Sequence, residues 1–190
     1  NKADIETYWI TNQNLIGAWD NLVSVIAHQS DHLIALNQSI GEITQTQEYD
    51  GAIIREVNKI LSKDSDKNRV IFVHLMGNHF NYCERYPDEY RRFYGVLKIG
   101  QFGVLTKKNI DDRINCYDNS VLYNVFVVSS LIKSLEQQNS VTGLLYFSDH
   151  ADDVFGNLGH NSTKFTYSMC QIPLIIWLSE QYKNLYKHKF

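Results

Sequence analysis

The 190-residue chain contains only two prolines, and its three cysteines (Cys83, Cys116 and Cys170) show no CxxC spacing. This pattern matches neither a disulfide framework nor a zinc knuckle. We therefore expect three separate thiols, with a single bridge between two of them as the alternative. Acidic residues outnumber basic ones by 21 to 18, so there is no positive surplus to neutralise a nucleic-acid backbone, and we expect no nucleic-acid partner. The longest apolar run, residues 174–178, is too short to span a bilayer.

Familiar catalytic signatures are absent as well. The chain has no GxSxG nucleophile elbow, no GxGxxG dinucleotide motif and no GxxxxGK[ST] phosphate loop. Apolar residues nevertheless make up 44% of the chain and charged residues 21%, which is typical of a folded globular protein. The sequence begins at Asn1 without a methionine, so we expect it to be part of a longer polypeptide.

Short apolar runs alternate with helical patterns along the chain. We predict strands at residues 7–10, 70–73, 144–147 and 174–178. Helical periodicity predicts helices at 49–62, 111–138 and 180–187, and helix or helical turns over 20–37, whereas 78–109 is expected to be a long irregular loop. The buried stripe predicted for the longest helix is Ile114, Tyr117, Val121, Val125, Val128, Leu131, Ile132 and Leu135. The alternation indicates the α/β class: one domain over residues 1–190, with a mainly parallel sheet flanked by helices on both faces.

Two predicted strands run into residues that commonly bind metals. His79 follows the strand at 70–73, Asp149 and His150 follow the strand at 144–147, and His160 comes in the next loop. Functional groups of parallel α/β sheets gather beyond the carboxyl ends of the strands, and carboxylate with imidazole suits zinc. The alternative is that Asp149 caps a turn and the histidines are ordinary polar loop residues.

A second histidine pair has ligand spacing but a different interpretation. His28 and His32 are four residues apart, which would place them on one face of a helix. No predicted strand end directs them toward the crevice. We interpret them as part of a solvated surface.

Several longer strings occur in a characteristic order. They are His74-Leu-Met-Gly-Asn-His79, Arg85-Tyr86-Pro87, Tyr117-Asp118-Asn119-Ser120, Ser148-Asp149-His150, Gly159-His160 and Ile172-Pro173-Leu174-Ile175-Ile176-Trp177. In these strings the chain resembles the bacterial phosphoethanolamine transferases, in the sulfatase-like branch of the alkaline phosphatase superfamily. The resemblance covers nearly the whole chain, and residues 8–13 look like the family's strand after its nucleophile region.

The resemblance implies an alkaline-phosphatase/sulfatase-like fold and a zinc cofactor. Asp149 and His150 would bind the metal, together with an acidic residue and a threonine nucleophile, while His79 and His160 would bind the substrate phosphate or a second metal. The implied reaction moves phosphoethanolamine from phosphatidylethanolamine to lipid A, core heptose or a periplasmic glycan, through a phosphothreonine intermediate. The implied location is the periplasmic face of the bacterial inner membrane, with membrane contact through amino-terminal helices that are not in this chain.

The chain departs from the family pattern in two ways. The family has Gly-Glu after the Ser-Asp-His string, whereas this chain has Ala151-Asp152. We find no match to the family's Gly-Glu-Ser string or to its threonine nucleophile. We therefore expect the carboxyl-terminal part of a catalytic domain, incomplete at its amino terminus and inactive alone. A related sulfatase or phosphatase, and an inactive binding domain of the same fold, are the alternatives.

Overall fold

The strands and helices were described from a computed structural model. It describes residues 4–15, 21–37, 39–40, 43–44, 48–94, 107–156, 159–161 and 163–187. Contacts within the chain form two units, residues 1–77 and 78–190, and each is described by itself. The single domain expected over residues 1–190 stays a prediction. Part of the predicted loop at 78–109 lies outside the described residues.

The first unit is built on a three-stranded parallel sheet. Its described elements are β1 (Ile5–Thr11), α1 (Asn21–Ala27), β2 (His32–Ala35), β3 (Ser39–Ile40), β4 (Ile43–Thr44), α2 (Gly51–Leu61) and β5 (Asn68–His74). Strand β1 is central, with β2 and β5 parallel to it on either side, while β3 and β4 form a small antiparallel pair. The predicted strands at 7–10 and 70–73 therefore lie within β1 and β5, and the predicted helix at 49–62 contains α2.

The prediction of helix or helical turns over residues 20–37 is wrong for its second half. Strand β2 occupies that part, and its Leu33 and Ile34 pair with Trp9 and Ile10 of β1. Pairing with a neighbouring strand outweighs a short helical pattern, because periodicity in a few apolar residues is a weak signal. His28 lies in the turn after α1 and His32 begins β2, so the two histidines do not share a helix face.

A buried carboxylate fixes the turn that follows β5. Asp50, just before α2, is only 4% exposed. It accepts hydrogen bonds from the backbone N–H groups of Met76 (3.0 Å) and Gly77 (2.7 Å) and from Nδ2 of Asn12 (2.8 Å). Gly77 has φ +56°, a conformation that glycine adopts without a side-chain penalty. Asp50 thereby joins the ends of β1 and β5 to the start of α2.

The second unit contains one long helix and a two-stranded sheet. Its described elements are 3₁₀ helices at Tyr82–Glu84, Asp88–Tyr90 and Tyr167–Cys170, α3 (Lys107–Glu136), β6 (Gly143–Phe147), β7 (Leu174–Leu178) and α4 (Glu180–Leu185). Strands β6 and β7 pair antiparallel, which differs from the parallel arrangement expected for them. Parallel neighbours need a crossover connection, usually a helix, and the described part of the β6–β7 connection contains only a 3₁₀ turn. Of the helices in the described ranges, none has the length and apolarity required to cross a membrane.

The buried face of α3 differs from the predicted stripe. Val125 is 59% exposed, whereas Asn119 is completely buried. The Asn119 side chain accepts hydrogen bonds from the backbone N–H groups of Arg92 (2.7 Å) and Phe93 (2.9 Å), and it donates one to the Phe93 carbonyl (2.6 Å). Asn119 is thus a polar residue in the core, where it forms hydrogen bonds with the backbone of a loop. Hydrophobic periodicity cannot identify such a residue.

We predict that Asp50→Ala lowers the free energy of unfolding by about 3 kcal/mol, because it removes the acceptor of two part-buried backbone N–H groups and one hydrogen bond of the Asn12 amide. Urea denaturation of the purified chain measures this change. Asp64→Ala is the matched control, since Asp64 is exposed in the turn before β5 and its loss should leave the midpoint nearly unchanged. Equal midpoints for the two variants would contradict the role assigned to Asp50.

Candidate metal and phosphate site

The Ser148-Asp149-His150 string forms a turn at the carboxyl end of β6. Ser148 Oγ donates to the His150 carbonyl (2.6 Å), and the His150 N–H donates to Oδ1 of Asp149 (3.0 Å). These bonds close the turn and bring the two predicted ligands together. Oδ2 of Asp149 lies 3.8 Å from Nε2 of His150, and the Asp149 side chain is 87% exposed.

The imidazoles of His150 and His160 lie side by side, and each directs Nδ1 to a protein acceptor. Their ring centroids are 4.2 Å apart. Nδ1 of His150 is 3.2 Å from the Ala151 carbonyl, and Nδ1 of His160 is 3.0 Å from Oδ1 of Asp152. Both acceptors require a proton on Nδ1, so Nε2 is the nitrogen of each ring that remains to bind a ligand.

His79 completes the group of imidazoles. Its ring centroid lies 5.6 Å from that of His160. The Arg85 guanidinium holds the loop of His79 by donating to the carbonyls of His79 (3.1 Å) and Phe80 (2.7 Å). Burial, followed by the positive charge of Arg85, lowers the pKa of His79. We therefore expect His79 to be neutral at neutral pH.

The residues present fit a divalent cation. Histidine and carboxylate are common zinc ligands, and two ligand atoms at about 2.0–2.2 Å from one tetrahedral zinc lie roughly 3.3 Å apart. The 3.8 Å between Asp149 Oδ2 and His150 Nε2 is close to that spacing. Potential ligand atoms of His150, Asp152 and His160 also lie within 4.8 Å of one another. The donor set therefore suits a cation at this turn.

Asp152 is the residue that sequence reasoning missed. Its side chain is only 6% exposed, and its two oxygens have different partners: Oδ1 accepts from His160, while Oδ2 accepts from the Tyr82 hydroxyl (2.7 Å). A signal was present, because Asp152 stands where the resembled family has glutamate. Burial and the hydrogen bond to Asp152 raise the pKa of Tyr82, so its hydroxyl stays protonated and donates.

A disulfide lies beside Tyr82 and corrects the expectation of three separate thiols. Cys83 is bonded to Cys116 of α3, while Cys170 is free and exposed. Closing a loop with a sequence separation of 33 stabilises the fold by roughly 4 kcal/mol in the chain-entropy model. The absence of a recognisable spacing concealed this pair, because its two cysteines come from different elements. Disulfides persist in oxidising compartments.

The structure brings the predicted site residues together in one unit. His79 adjoins His160, His160 adjoins His150, and His150 adjoins Asp149. Their assignment to metal and phosphate stays a prediction. His32 belongs to the first unit, where it bonds to Glu6 (2.9 Å) and stacks on Tyr8.

The chain was compared with known families and proteins. The sequence profile of the sulfatase family matches residues 2–190. Phosphoethanolamine transferase EptC of Escherichia coli K12 is 32% identical over all of this chain. Phosphoethanolamine transferase CptA of Salmonella typhimurium LT2 is 31% identical over the same span. In each case the match covers 33% of the relative, so the chain spans about a third of the length of these curated relatives.

Solved structures give the same result. The carboxyl-terminal periplasmic domain of Escherichia coli EptC, in complex with zinc, matches 96% of this chain and 51% of that domain, with a TM-score of 0.80 and 33% identity. The soluble domain of a lipooligosaccharide phosphoethanolamine transferase from Neisseria meningitidis has a TM-score of 0.73 at 21% identity, which supports the fold alone. The predicted α/β, sulfatase-like fold class is confirmed. The chain therefore belongs to the sulfatase family, and its resemblance to the phosphoethanolamine transferases of that family is confirmed.

Proposed function

We propose that this chain is the carboxyl-terminal part of a zinc-dependent phosphoethanolamine transferase. The observation that carries the proposal is the turn at Asp149 and His150. There a carboxylate oxygen and a free Nε2 lie 3.8 Å apart, beside two further imidazoles. The relatives are named phosphoethanolamine transferases, and one solved neighbour is a zinc complex.

In this proposal each side chain has a distinct task. Asp149 and His150 hold the zinc, while His79 and His160 bind the phosphate of the substrate or a second metal. When bound, zinc acts as a Lewis acid that lowers the pKa of a hydroxyl nucleophile and offsets phosphate charge. Asp152 and the Ala151 carbonyl fix the two Nδ1 protons, so that Nε2 of His160 and of His150 faces the ligand.

The donor we propose is phosphatidylethanolamine, and the acceptor is lipid A, core heptose or a periplasmic glycan. Transfer would proceed through a phosphothreonine whose threonine is outside this chain, since none of its threonines lies in the family's nucleophile string. The proposed location is the periplasmic face of the bacterial inner membrane. The Cys83–Cys116 disulfide supports an oxidising compartment of this kind.

A related hydrolase is the second candidate, because the matching profile is that of the sulfatase family as a whole. The two candidates differ in what the full-length protein releases. A transferase should take the headgroup of fluorescent phosphatidylethanolamine, whereas a sulfatase should cleave a chromogenic sulfate ester. Cleavage of the sulfate ester without headgroup release would replace the proposed reaction.

We predict that Asp149→Ala and His150→Ala each weaken zinc binding by more than about tenfold. Loss of a direct ligand should cost at least as much as the 10–100-fold typical of supporting residues. Isothermal calorimetry with zinc on the purified chain measures this affinity. His28→Ala is the control, because His28 lies in the exposed turn after α1. Unchanged affinity in both site variants would exclude the assignment.

We also predict that the 190-residue chain alone does not release the headgroup of phosphatidylethanolamine. In-line transfer requires a positioned nucleophile, and losing a covalent nucleophile removes most of the rate enhancement. The assay incubates the chain with zinc and fluorescent phosphatidylethanolamine, with Asp149→Ala as the matched control. Release by the unmodified chain but not by Asp149→Ala would reveal a local nucleophile and overturn this prediction.

A further inference from the structure

Asp152 is held from two sides. Its buried carboxylate accepts one hydrogen bond from His160 on Oδ1 (3.0 Å) and one from Tyr82 on Oδ2 (2.7 Å). A carboxylate with both oxygens engaged cannot rotate without losing a partner. The position of Tyr82 therefore determines which way Asp152 presents Oδ1 to His160.

Tyr82 is itself fixed by the disulfide and by α3. It belongs to the 3₁₀ helix Tyr82–Glu84, and its ring packs edge-on against that of Tyr117, with centroids 5.2 Å apart. The next residue, Cys83, is bonded to Cys116, which directly precedes Tyr117. Tyr82, Cys116 and Val154 are all buried in one apolar cluster. The covalent link therefore ties the 3₁₀ helix to α3 at the point where the two tyrosine rings meet.

We propose that Tyr82 is a positioning residue for the histidine group, and that the Cys83–Cys116 disulfide holds it in place. The proposal rests on the function proposed above, in which His160 and His150 bind metal or phosphate. Removing the Tyr82 hydroxyl leaves Oδ2 of Asp152 buried without a donor, which is costly for a carboxylate. Asp152 then turns toward another partner, and His160 loses the acceptor that keeps its proton on Nδ1.

The test uses the metal-free chain and the imidazole nitrogens, whose NMR shifts report which nitrogen carries the proton. In Tyr82→Phe at neutral pH we expect His160 to change from the Nδ1–H form to a mixture of tautomers. The imidazoles of His28 and His32 should not change. Tyr117→Phe is the matched control, because it removes a hydroxyl from the adjoining ring that does not donate to Asp152. The control should retain the His160 signal of the unmodified chain.

A zinc titration of the same proteins supplies the functional readout. We expect Tyr82→Phe to bind zinc about tenfold more weakly, as is typical when the support of a histidine ligand is lost, and Tyr117→Phe to bind normally. The Cys83→Ser/Cys116→Ser double variant should change His160 in the same direction as Tyr82→Phe, whereas Cys170→Ser should not. This double variant tests the proposal independently if Tyr82→Phe fails to fold.

The outcomes separate this proposal from the one on which it rests. An unchanged His160 tautomer in Tyr82→Phe, or the same loss in Tyr117→Phe, would overturn the positioning role. If Tyr82→Phe alone alters His160 but the unmodified chain binds no zinc, the positioning role stands and the proposed zinc function fails.

Discussion

Burying a carboxylate is costly unless its oxygens are satisfied, and each unit of this chain contains one carboxylate that meets that requirement. In the first unit Asp50 accepts hydrogen bonds from two backbone N–H groups and an asparagine amide, and so determines the turn after β5. In the second unit Asp152 accepts hydrogen bonds from a tyrosine hydroxyl and a histidine N–H. Both carboxylates fix segments that lack regular secondary structure, where no ladder of backbone hydrogen bonds holds the chain. The candidate site depends on the second, because Asp152 determines which nitrogen of His160 remains free.

The same requirement accounts for the polar face of α3. A helix that buried only aliphatic side chains would offer no hydrogen bonds to the backbone of the adjoining loop at Arg92 and Phe93. Asn119 supplies those partners, and Asn124 donates to both Asn78 (3.1 Å) and the Tyr146 hydroxyl (2.6 Å). The long helix thus organises loop and strand through side-chain amides as well as through apolar packing. On folding, the side-chain amides of this helix give up hydrogen bonds to water and form hydrogen bonds within the protein instead.

The sequence was sufficient to predict helices and strands that have a strong hydrophobic pattern. It was insufficient where contacts between distant residues determine the structure. Helix α2 has a clear apolar face, and the strands at 70–73, 144–147 and 174–178 were recognisable as apolar runs. Strand β2 was not, because four residues carry too little periodicity and its pairing with β1 lies outside any local window. Motifs identified Asp149, His150, His79 and His160 as candidate site residues, and their roles stay predictions. Tyr82 and the disulfide were not predicted, because their roles depend on contacts between residues far apart in the sequence. Tyr82 and Asp152, for example, are separated by 70 positions.

The orientation of the three imidazoles and the charges beside them constrain what they can bind. His150 and His160 direct Nδ1 to fixed acceptors, so Nε2 is the nitrogen that each ring presents to a ligand. Burial and the positive charge of Arg85 lower the pKa of His79, which favours the neutral form of this third ring. The carboxylates of Asp149 and Asp152 lie beside these rings, so the described side chains of this group favour a cation over an anion. An anionic phosphate would therefore need a bound cation to offset its charge.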